Sequence, residues 1–408
     1  MPAPDAPLPR FGERGLIALI GLCLMLQPLS TDLNLASLPG LATAFGAPVA
    51  TVQLTLSIFV VGFGAMQVVS GPLSDRFGRR PVLQGGLVVY VVASAACALA
   101  PTIGWLIAAR FVQALGCCTA VVVARAIVRD AFTPAEGARA LSRASSLLAI
   151  GPIFGPIVGS LLEVEFGFRA AFVLLTALGA ALLAITSLRL AETNRHRDPT
   201  ALAPRALAAT CARVLRAPMF RAYALAGLAS YAGLFAFISG SPFVLIRILD
   251  VPTGWFGLAW GAAVTGYLAG TFLARRLLRH RSLAATMTVG AWLALGGGAL
   301  LAAVAVADLR HWAAFLAAQF VYFTAHGILF PGAMAGVVAP FPRHAGAAAG
   351  MFGLLTMVAA AAVGSWIGAS HDGTMRPVAV AVALAGLVAF AAVRLGVRRV
   401  DAAVGNRL

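Results

Sequence analysis

The sequence predicts an all-α integral membrane protein whose twelve transmembrane helices form two six-helix halves. The 408 residues are 61% hydrophobic and only 11% charged, whereas soluble domains are about 45–50% apolar and about 25% charged. Apolar runs of roughly 20 residues, the length of a membrane-spanning helix, recur along the chain. These runs are far longer than the roughly ten alternating residues of a barrel strand, so a helical bundle is the predicted architecture.

We predict spans at roughly 16–38, 50–70, 82–100, 104–128, 142–162, 168–189, 219–245, 254–275, 283–304, 311–336, 344–368 and 377–395. The longest polar stretch separates the sixth span from the seventh. The predicted organisation is an N-terminal half at 1–190, a cytoplasmic linker at 191–218, a C-terminal half at 219–395 and a cytoplasmic tail at 396–408. An arginine-rich loop at 274–281 follows the eighth span, where the Asp75 loop follows the second, so the halves form a faint internal repeat.

The 30 basic residues are all arginine, and they are distributed unequally between the two sides of the predicted spans. Two lie within a span, Arg110 and Arg125. Four lie on one side, and the remaining 24 lie in the loops and tails of the other side. This asymmetry is typical of the cytoplasmic side of a membrane protein, so both termini and the Asp75 loop are predicted to be cytoplasmic. The net charge of +16 therefore indicates a membrane topology rather than a nucleic-acid partner. We expect the protein to be a monomer.

Motifs of soluble enzymes are absent from the sequence. It contains no HExxH, GxSxG, Walker loop or CxxC. The five cysteines do not have the spacing of metal ligands, and four of them fall in apolar spans. We therefore expect no enzyme activity, no metal and no cofactor, and an ion gradient as the energy source of any transport.

The loop between the second and third spans carries a dense charged motif, Gly71-Pro-Leu-Ser-Asp75-Arg76-Phe-Gly78-Arg79-Arg80. Its arginines and aspartate cannot lie in hydrocarbon, so they mark one membrane face. Gly71 and Gly78 are expected to permit a sharp reversal of the chain. We predict that Gly71, Asp75, Arg76, Gly78, Arg79 and Arg80 form a conformational gate between the halves, with Asp75 docked on the helix N-terminus near Gly346.

Asp32 is the only acidic residue placed well inside a predicted span. A carboxylate at this depth is costly to keep ionised, so it can take up and release a proton as water access changes. Gln27 and Asn34 make this part of the span polar, as the wall of a cavity would be. The alternative is a structural acid that pairs with an arginine or caps a helix broken at Pro28 or Pro39.

The fourth span contains Arg110-Phe-Val-Gln113-Ala-Leu-Gly116. We expect Arg110 either to couple electrostatically to Asp32 or to bind an anionic group of a substrate, with Gln113 beside it in the cavity. The alternative is an arginine whose long side chain reaches the membrane interface.

The fifth span has glycines at four-residue intervals, Gly151, Gly155 and Gly159, with Pro156 among them. Such glycines let a partner helix approach backbone to backbone, and a proline removes a helical hydrogen bond and permits bending. Close packing alone would also explain the pattern.

The seventh span is rich in aromatic and small residues from Tyr231 to Phe243. Tyr231, Phe235 and Phe237 would suit the apolar wall of a substrate cavity, although ordinary core packing is the alternative for each. His326, in the tenth span, is either a second titrating group or a hydrogen-bond partner of a neighbouring helix.

Taken in order, Leu29–Pro39, Gln53–Ser57, the Asp75 loop, Arg110-x-x-Gln113-x-x-Gly116 and the glycine–proline pattern of the fifth span resemble the Bcr/CflA drug-resistance branch of the major facilitator superfamily. The likeness is strongest over residues 20–190. It implies a proton-coupled exporter in the bacterial inner membrane that exchanges small amphipathic drugs for protons by alternating access. By this resemblance, Asp32 matches the acid of the first helix that couples protons and recognises substrate.

One departure from the polyspecific relatives narrows the expected substrates. Some relatives carry a second acid about two turns before Asp32, where Leu24 stands here. A cavity with one acid and a nearby Arg110 is poorly suited to dications, so we expect neutral or zwitterionic antibiotics such as phenicols. The alternatives are a major facilitator exporter or importer of a small metabolite, such as an amino acid or sugar derivative, and a non-transporting membrane receptor.

Overall fold

The computed structural model describes residues 12–133, 136–137, 139–141, 143–144, 151–195, 197–201, 203–341 and 344–400. Eleven helices within these ranges are long and apolar enough to span a membrane. A twelfth, α6 below, is described over sixteen residues. The part of the predicted fifth span that precedes Gly151 lies mostly outside the described residues. The architecture is therefore the predicted all-α bundle of twelve spans.

The N-terminal half consists of α1 (Gly12–Asp32), α2 (Leu38–Ala44), α3 (Val49–Phe77), α4 (Arg79–Ala98), α5 (Ile103–Ala131), α6 (Gly151–Phe166) and α7 (Arg169–Arg189). Helix α5 lies at its centre and packs against α1, α3 and α4. Helix α1 also packs against α6. Helix α1 therefore lies between α5 and α6.

The first span differs from the prediction because it is broken. Helix α1 ends at Asp32, and residues 33–37 form turns before α2 begins at Leu38. Pro39 contributes to the break, because it has no backbone N–H to donate to the Leu35 carbonyl oxygen and lies in the first turn of α2, where a proline suits a helix start. Asp32 therefore lies at a helix C-terminus rather than within a continuous helix.

The C-terminal half repeats the arrangement with α9 (Pro218–Pro242), α10 (Thr253–Leu277), α11 (Leu283–Val306), α12 (Trp312–Val338), α13 (Ala345–Ala369) and α14 (Arg376–Ala391). Helix α12 is central and packs against α9, α10 and α11. Two helices continue as π-helical turns, α9 through Phe243–Ile248 and α14 through Ala392–Val397. The last span extends to Val400, five residues beyond its predicted end at 395, and residues 401–408 lie outside the described chain.

The predicted polar linker contains a helix, α8 (Pro204–Arg216), which packs against α13. The two halves meet along two helix pairs, α3 with α13 and α6 with α10. Glycines make both contacts close. A side chain added at Gly368 of α13 would lie 3.1 Å from Ala50, and one added at Gly257 of α10 would overlap the backbone of Pro156 and Ile157.

Candidate functional site

A cavity of about 420 Å³ lies between the two halves, and we call it the central cavity. The N-terminal half contributes Gln27, Pro28, Thr31, Asp32, Val60 and Pro152. The C-terminal half contributes a larger and mostly aromatic or aliphatic surface: Tyr231, Leu234, Phe235, Ile238, Trp260, Val264, Tyr267, Phe323, His326 and Phe330. Asp32 is the only carboxylate or guanidinium group among these lining residues. The volume and the apolar surface fit a small amphipathic molecule.

Asp32 is 4% exposed and accepts a hydrogen bond from the Thr31 hydroxyl, with Thr31 Oγ1 2.8 Å from Asp32 Oδ1. The same hydroxyl lies 2.9 Å from the Pro28 carbonyl oxygen. Because a hydroxyl has one hydrogen, Thr31 donates to only one of these acceptors at a time. When Asp32 is protonated it can donate to Thr31, which then donates to Pro28. The local structure thus accommodates both protonation states of the carboxyl group.

The predicted glycine stripe of α6 lies directly against the end of α1. A side chain at Gly155 would come within 3.0 Å of Asp32 Cβ, and one at Gly159 would overlap the carbonyl oxygen of Leu33. Gly151 has the same relation to the Pro28 ring, at 3.2 Å. The stripe therefore determines how closely the break at Asp32 can approach α6. Pro156 lies within the same helix and is buried.

Arg110 lies behind the cavity wall and does not line the cavity. Its side chain is fully buried and donates to the carbonyl oxygens of Ser30 and Thr55, at 2.8 and 3.3 Å, and to Gln113 Oε1 at 2.7 Å. The guanidinium carbon lies 4.3 Å from the centre of the Phe59 ring, so a cation–π contact covers one face. No ion pair joins Arg110 to Asp32 among the described residues. The arrangement holds α1, α3 and α5 together, one residue away from the Thr31–Asp32 pair.

The aromatic wall of the C-terminal half centres on His326. Its ring lies 6.0 Å from Tyr231, 5.8 Å from Tyr267 and 5.1 Å from Phe330, measured between ring centres. Its Nδ1 atom lies 2.9 Å from the hydroxyl oxygen of Ser230 on α9. His326 therefore lines the cavity and also bonds a neighbouring helix, and its role as a second titrating group stays a prediction. Tyr231 and Asp32 line the same cavity from opposite halves.

Three residues predicted for the cavity lie outside it. Phe237 is fully buried in the C-terminal core, with its ring centre 6.0 Å from Trp260 and 5.9 Å from Phe315. Gln113 is buried between Arg110 and Ser94. Asn34 is fully buried, and neither atom of its amide has a hydrogen-bond partner among the described residues. The break after Asp32 explains the last case, because a continuous helix would have directed Asn34 differently.

Trp260 is a cavity residue that the sequence reasoning missed. It is 2% exposed, and its indole Nε1 is buried with no partner in the described chain. An unpaired indole N–H at a cavity wall is a ready donor to a bound acceptor. A tryptophan in an apolar span gives no sequence signal of this orientation.

The Asp75 loop forms a compact ionic cluster within the N-terminal half. The Arg79 guanidinium lies 2.6 Å from an Asp75 carboxylate oxygen and 2.7 Å from one of Asp130, at the end of α5. Gly78 has φ 102°, a conformation that favours glycine, and it separates α3 from α4. By contrast, Gly71 lies within α3, and a side chain there would meet nothing within 4 Å. The expectation that Gly71 contributes to the reversal is therefore wrong.

The linker closes this cluster through Glu192, which the prediction did not include. The Glu192 carboxylate accepts the backbone N–H groups of Arg79 and Arg80, at 2.8 and 3.2 Å, at the N-terminus of α4. A carboxylate at a helix N-terminus pairs unsatisfied donors with the positive end of the helix dipole. Arg80 also donates to the Ser187 carbonyl oxygen at 2.8 Å, and Arg76 is exposed. The expected docking of Asp75 near Gly346 is not observed. The side-chain atom near Gly346 is a guanidinium nitrogen of Arg129, 3.5 Å from the position of a Cβ atom added at Gly346.

Hydrogen bonds between the two halves occur at the end of the bundle opposite the Asp75 loop. Gln53 and Ser239 exchange two, at 3.1 and 3.3 Å. Arg247 donates to the Pro39 carbonyl oxygen and to Thr43, at 3.2 and 3.1 Å. No ion pair of the described residues joins the halves at the Asp75 end. The hydrogen bonds between the halves that the described residues show therefore cluster at the end opposite the Asp75 loop.

Comparison with known proteins agrees with this geometry. Residues 20–365 match the Major Facilitator Superfamily. The YdgK protein of Bacillus subtilis, an uncharacterized MFS-type transporter, is 29% identical over 359 residues, 86% of this chain and 87% of that protein. The multidrug resistance protein MdtL of Escherichia coli is 28% identical over 84% of this chain and 88% of its own, and a bicyclomycin resistance protein homolog of Haemophilus influenzae is 25% identical over 88% and 90%.

Solved structures share the fold at lower identity. An inward-facing, unoccupied bacterial homolog of the human lysosomal transporter Spinster has a TM-score of 0.71 at 16% identity, and it covers 95% of this chain and 98% of that one. A D-xylose-proton symporter has a TM-score of 0.71 at 17% identity over 93% and 97%. The chain is a multi-pass membrane transporter of small molecules and not an enzyme, and it belongs to the major facilitator superfamily.

Proposed function

We propose that this transporter exports small amphipathic drugs from the bacterial cytoplasm in exchange for protons. The observation that carries the proposal is the isolation of Asp32: one buried carboxyl group in an otherwise uncharged, aromatic cavity between the two halves. A carboxyl group in such a site gains or loses a proton as its access to water changes. The relatives named for multidrug and bicyclomycin resistance support a drug as the substrate.

The substrate class follows from the lining of the cavity. Nine of the sixteen lining residues have hydrocarbon side chains, and three of the other seven, Tyr231, Trp260 and Tyr267, present large aromatic rings, so the lining favours an amphipathic molecule over a sugar or amino acid. One carboxyl group compensates at most one positive charge of a ligand, so a dication would leave a charge unpaired in an apolar site. We therefore expect neutral or zwitterionic antibiotics, phenicols among them, to be preferred over dications.

The proposed cycle is alternating access in the inner membrane by a monomer with both termini in the cytoplasm. The arginine asymmetry supports this orientation, under which the Asp75 loop is cytoplasmic and the bonded far end is external. While the external end is closed, Asp32 would exchange its proton with the cytoplasm. Opening the far end requires the bonds of Gln53 and Arg247 to the other half to break. The Asp75–Arg79–Glu192 cluster is proposed to gate the cytoplasmic side.

A susceptibility panel in a host lacking its own efflux pumps tests the proposal. Wild type should raise resistance to chloramphenicol, and Asp32→Asn at equal expression should remove that resistance. Uptake of labelled chloramphenicol into proteoliposomes should require an acid interior. Resistance to dicationic compounds alone, or equal efflux by Asp32→Asn, would contradict it.

A further inference from the structure

A second carboxyl group lies near the external end of the first span, outside the central cavity. Glu163 is on α6, and it lines a separate pocket of about 360 Å³ together with Gly40, Arg247 and Thr253. We call this the distal pocket. Glu163 and Arg247 are the charged groups of its described lining. They form no ion pair, because Arg247 instead donates to Pro39 and Thr43.

The backbone of α6 connects Glu163 to Asp32. Gly155 contacts Asp32, and Gly159, one turn later, contacts Leu33. Glu163 follows after one more turn, where a carboxylate oxygen approaches Gly40. Eight residues of helix separate Gly155 from Glu163, which corresponds to about 12 Å. The two carboxyl groups are therefore too far apart for direct proton transfer.

The turn between Asp32 and α2 spans this gap with polar groups that the protein leaves unpaired. Both amide atoms of Asn34 and the Ser37 hydroxyl are buried without a hydrogen-bond partner among the described residues, and so is Oε2 of Glu163. Asn34 is 0% exposed and Ser37 1%, and Ser37 lies three residues before Gly40, which the Glu163 carboxylate approaches. Buried polar atoms of this kind are normally bonded to ordered water.

We propose that Glu163 is the external proton relay of this transporter and passes protons to Asp32 along water held by Ser37 and Asn34. The inference rests on the proposed proton antiport. When the external end opens, the Glu163 carboxylate takes a proton from the outside. Its O–H bond then breaks, the proton moves through the intervening water, and an O–H bond forms on Asp32. No electron is transferred.

The test compares Glu163→Gln with Glu165→Gln in proteoliposomes, using labelled chloramphenicol. Glu165 is two residues away on the same helix and exposed, so it is a matched control. Two rates are measured: uptake driven by an acid interior, and exchange of labelled for unlabelled drug at equal pH, which needs no net proton movement. We expect Glu163→Gln to lose at least fivefold in driven uptake with exchange within twofold of wild type. Glu163→Asp should recover most of the uptake and shift its dependence on the interior pH.

Asn34→Leu provides a second variant that does not remove the carboxylate. The Asn34 amide makes no bond to the described protein, so a purely structural role predicts unchanged driven uptake. The relay predicts a severalfold loss with exchange intact. If wild type shows driven uptake and both Glu163→Gln and Asn34→Leu match Glu165→Gln, the relay is wrong and proton antiport stands. If wild type shows no driven uptake, the proposed function and the relay fail together.

Discussion

The two halves share a topology but supply different chemistry to their common cavity. The N-terminal half buries charged groups: Asp32 at the cavity, Arg110 behind the cavity wall and Arg79 in the Asp75 loop. In the described C-terminal half, the buried polar side chains are serine, threonine, glutamine and His326, with no buried carboxylate or guanidinium. Under the proposed proton antiport, we therefore assign proton chemistry to the N-terminal half and the wall that contacts substrate to the C-terminal half.

One pair of positions shows the contrast within a shared geometry. Arg110 lies seven residues after Ile103, where α5 begins, and Gln319 lies seven residues after Trp312, where α12 begins. Both helices are the central span of their half, and both side chains are fully buried. Arg110 bonds two neighbouring helices, whereas neither amide atom of Gln319 has a partner among the described residues. The same position is thus a structural anchor in one half only.

The largest effect is expected from filling the glycine stripe of the N-terminal half. Gly159→Leu would place a side chain on the Leu33 carbonyl oxygen, a backbone atom that cannot move aside without shifting the break after Asp32. Overpacking typically costs about 1–3 kcal/mol and more when backbone must shift. We expect loss of folded protein from detergent extracts, as judged by size-exclusion chromatography. Gly296→Leu, at a C-terminal glycine with nothing within 4 Å, is the control and should fold normally.

A matched pair of leucine substitutions tests the contrast between Arg110 and Gln319. Arg110→Leu leaves the Ser30 carbonyl oxygen at the end of α1 and Gln113 Oε1 without the donor they share, and we expect a loss of about 3 kcal/mol in the free energy of unfolding. Gln319→Leu removes an unpaired amide, so it should be neutral or stabilising by about 1 kcal/mol. Thermal unfolding of the purified variants measures both. Equal destabilisation by the two would show that the halves do not differ at this position.

The two glycines of the Asp75 loop should also respond unequally. Gly78→Ala introduces a side chain at positive φ, 2.5 Å from a Glu192 oxygen, and should cost about 1–3 kcal/mol while weakening the bond between the loop and the linker. Gly71→Ala lies in a helix with open space around it and should be neutral or slightly stabilising. Thermal unfolding and the protease sensitivity of the linker report the difference. If Gly71→Ala destabilised the protein more than Gly78→Ala, the account of Gly78 as the residue that permits the turn between α3 and α4 would be wrong.

The smallest effect should come from the wall of the C-terminal half. Trp260→Phe keeps most of the aromatic surface but removes the unpaired indole N–H, which is worth about 1 kcal/mol if it bonds substrate. We expect an approximately fivefold rise in KM for a drug that carries a hydrogen-bond acceptor, with the proton dependence unchanged. Phe237→Leu, at a buried ring outside the cavity, is the control and should leave KM unaltered. An altered proton dependence in Trp260→Phe would contradict the assignment of proton chemistry to the N-terminal half and of substrate contact to the C-terminal half.

Much of the fold could be predicted because a membrane span is defined by a long apolar run and a charged boundary. The twelve spans, the two halves and the closely packed stripe of α6 follow from such patterns. The break at Asp32 and the helix α8 could not be predicted from apolar runs and charged boundaries. Hydropathy alone continues past Asp32 to Leu38, and the structure adds the effect of Pro39 and of the approach of α6.

The site was predicted less completely, for a different reason. Asp32, Gln27, Tyr231, Phe235 and His326 line the cavity, as expected. Their functional roles stay predictions. Arg110, Gln113 and Phe237 face other helices instead of the cavity. Neighbouring residues of a helix point in directions that differ by a fraction of a turn, and the sequence of a span does not show which direction meets the cavity. Glu192 and Asp130, which bond Arg79, come from distant parts of the chain, so no local pattern joins them to the Asp75 loop.

The most direct test of this division compares Asp32→Asn with His326→Gln in proteoliposomes. Each variant removes one titratable group from the central cavity, one from each half, and replaces it with an uncharged amide. Uptake of labelled chloramphenicol is measured with an acid interior and then at equal pH. The account predicts that Asp32→Asn loses proton-driven accumulation at least a hundredfold, while His326→Gln retains it within severalfold. Accumulation that survives in Asp32→Asn and disappears in His326→Gln would contradict the account.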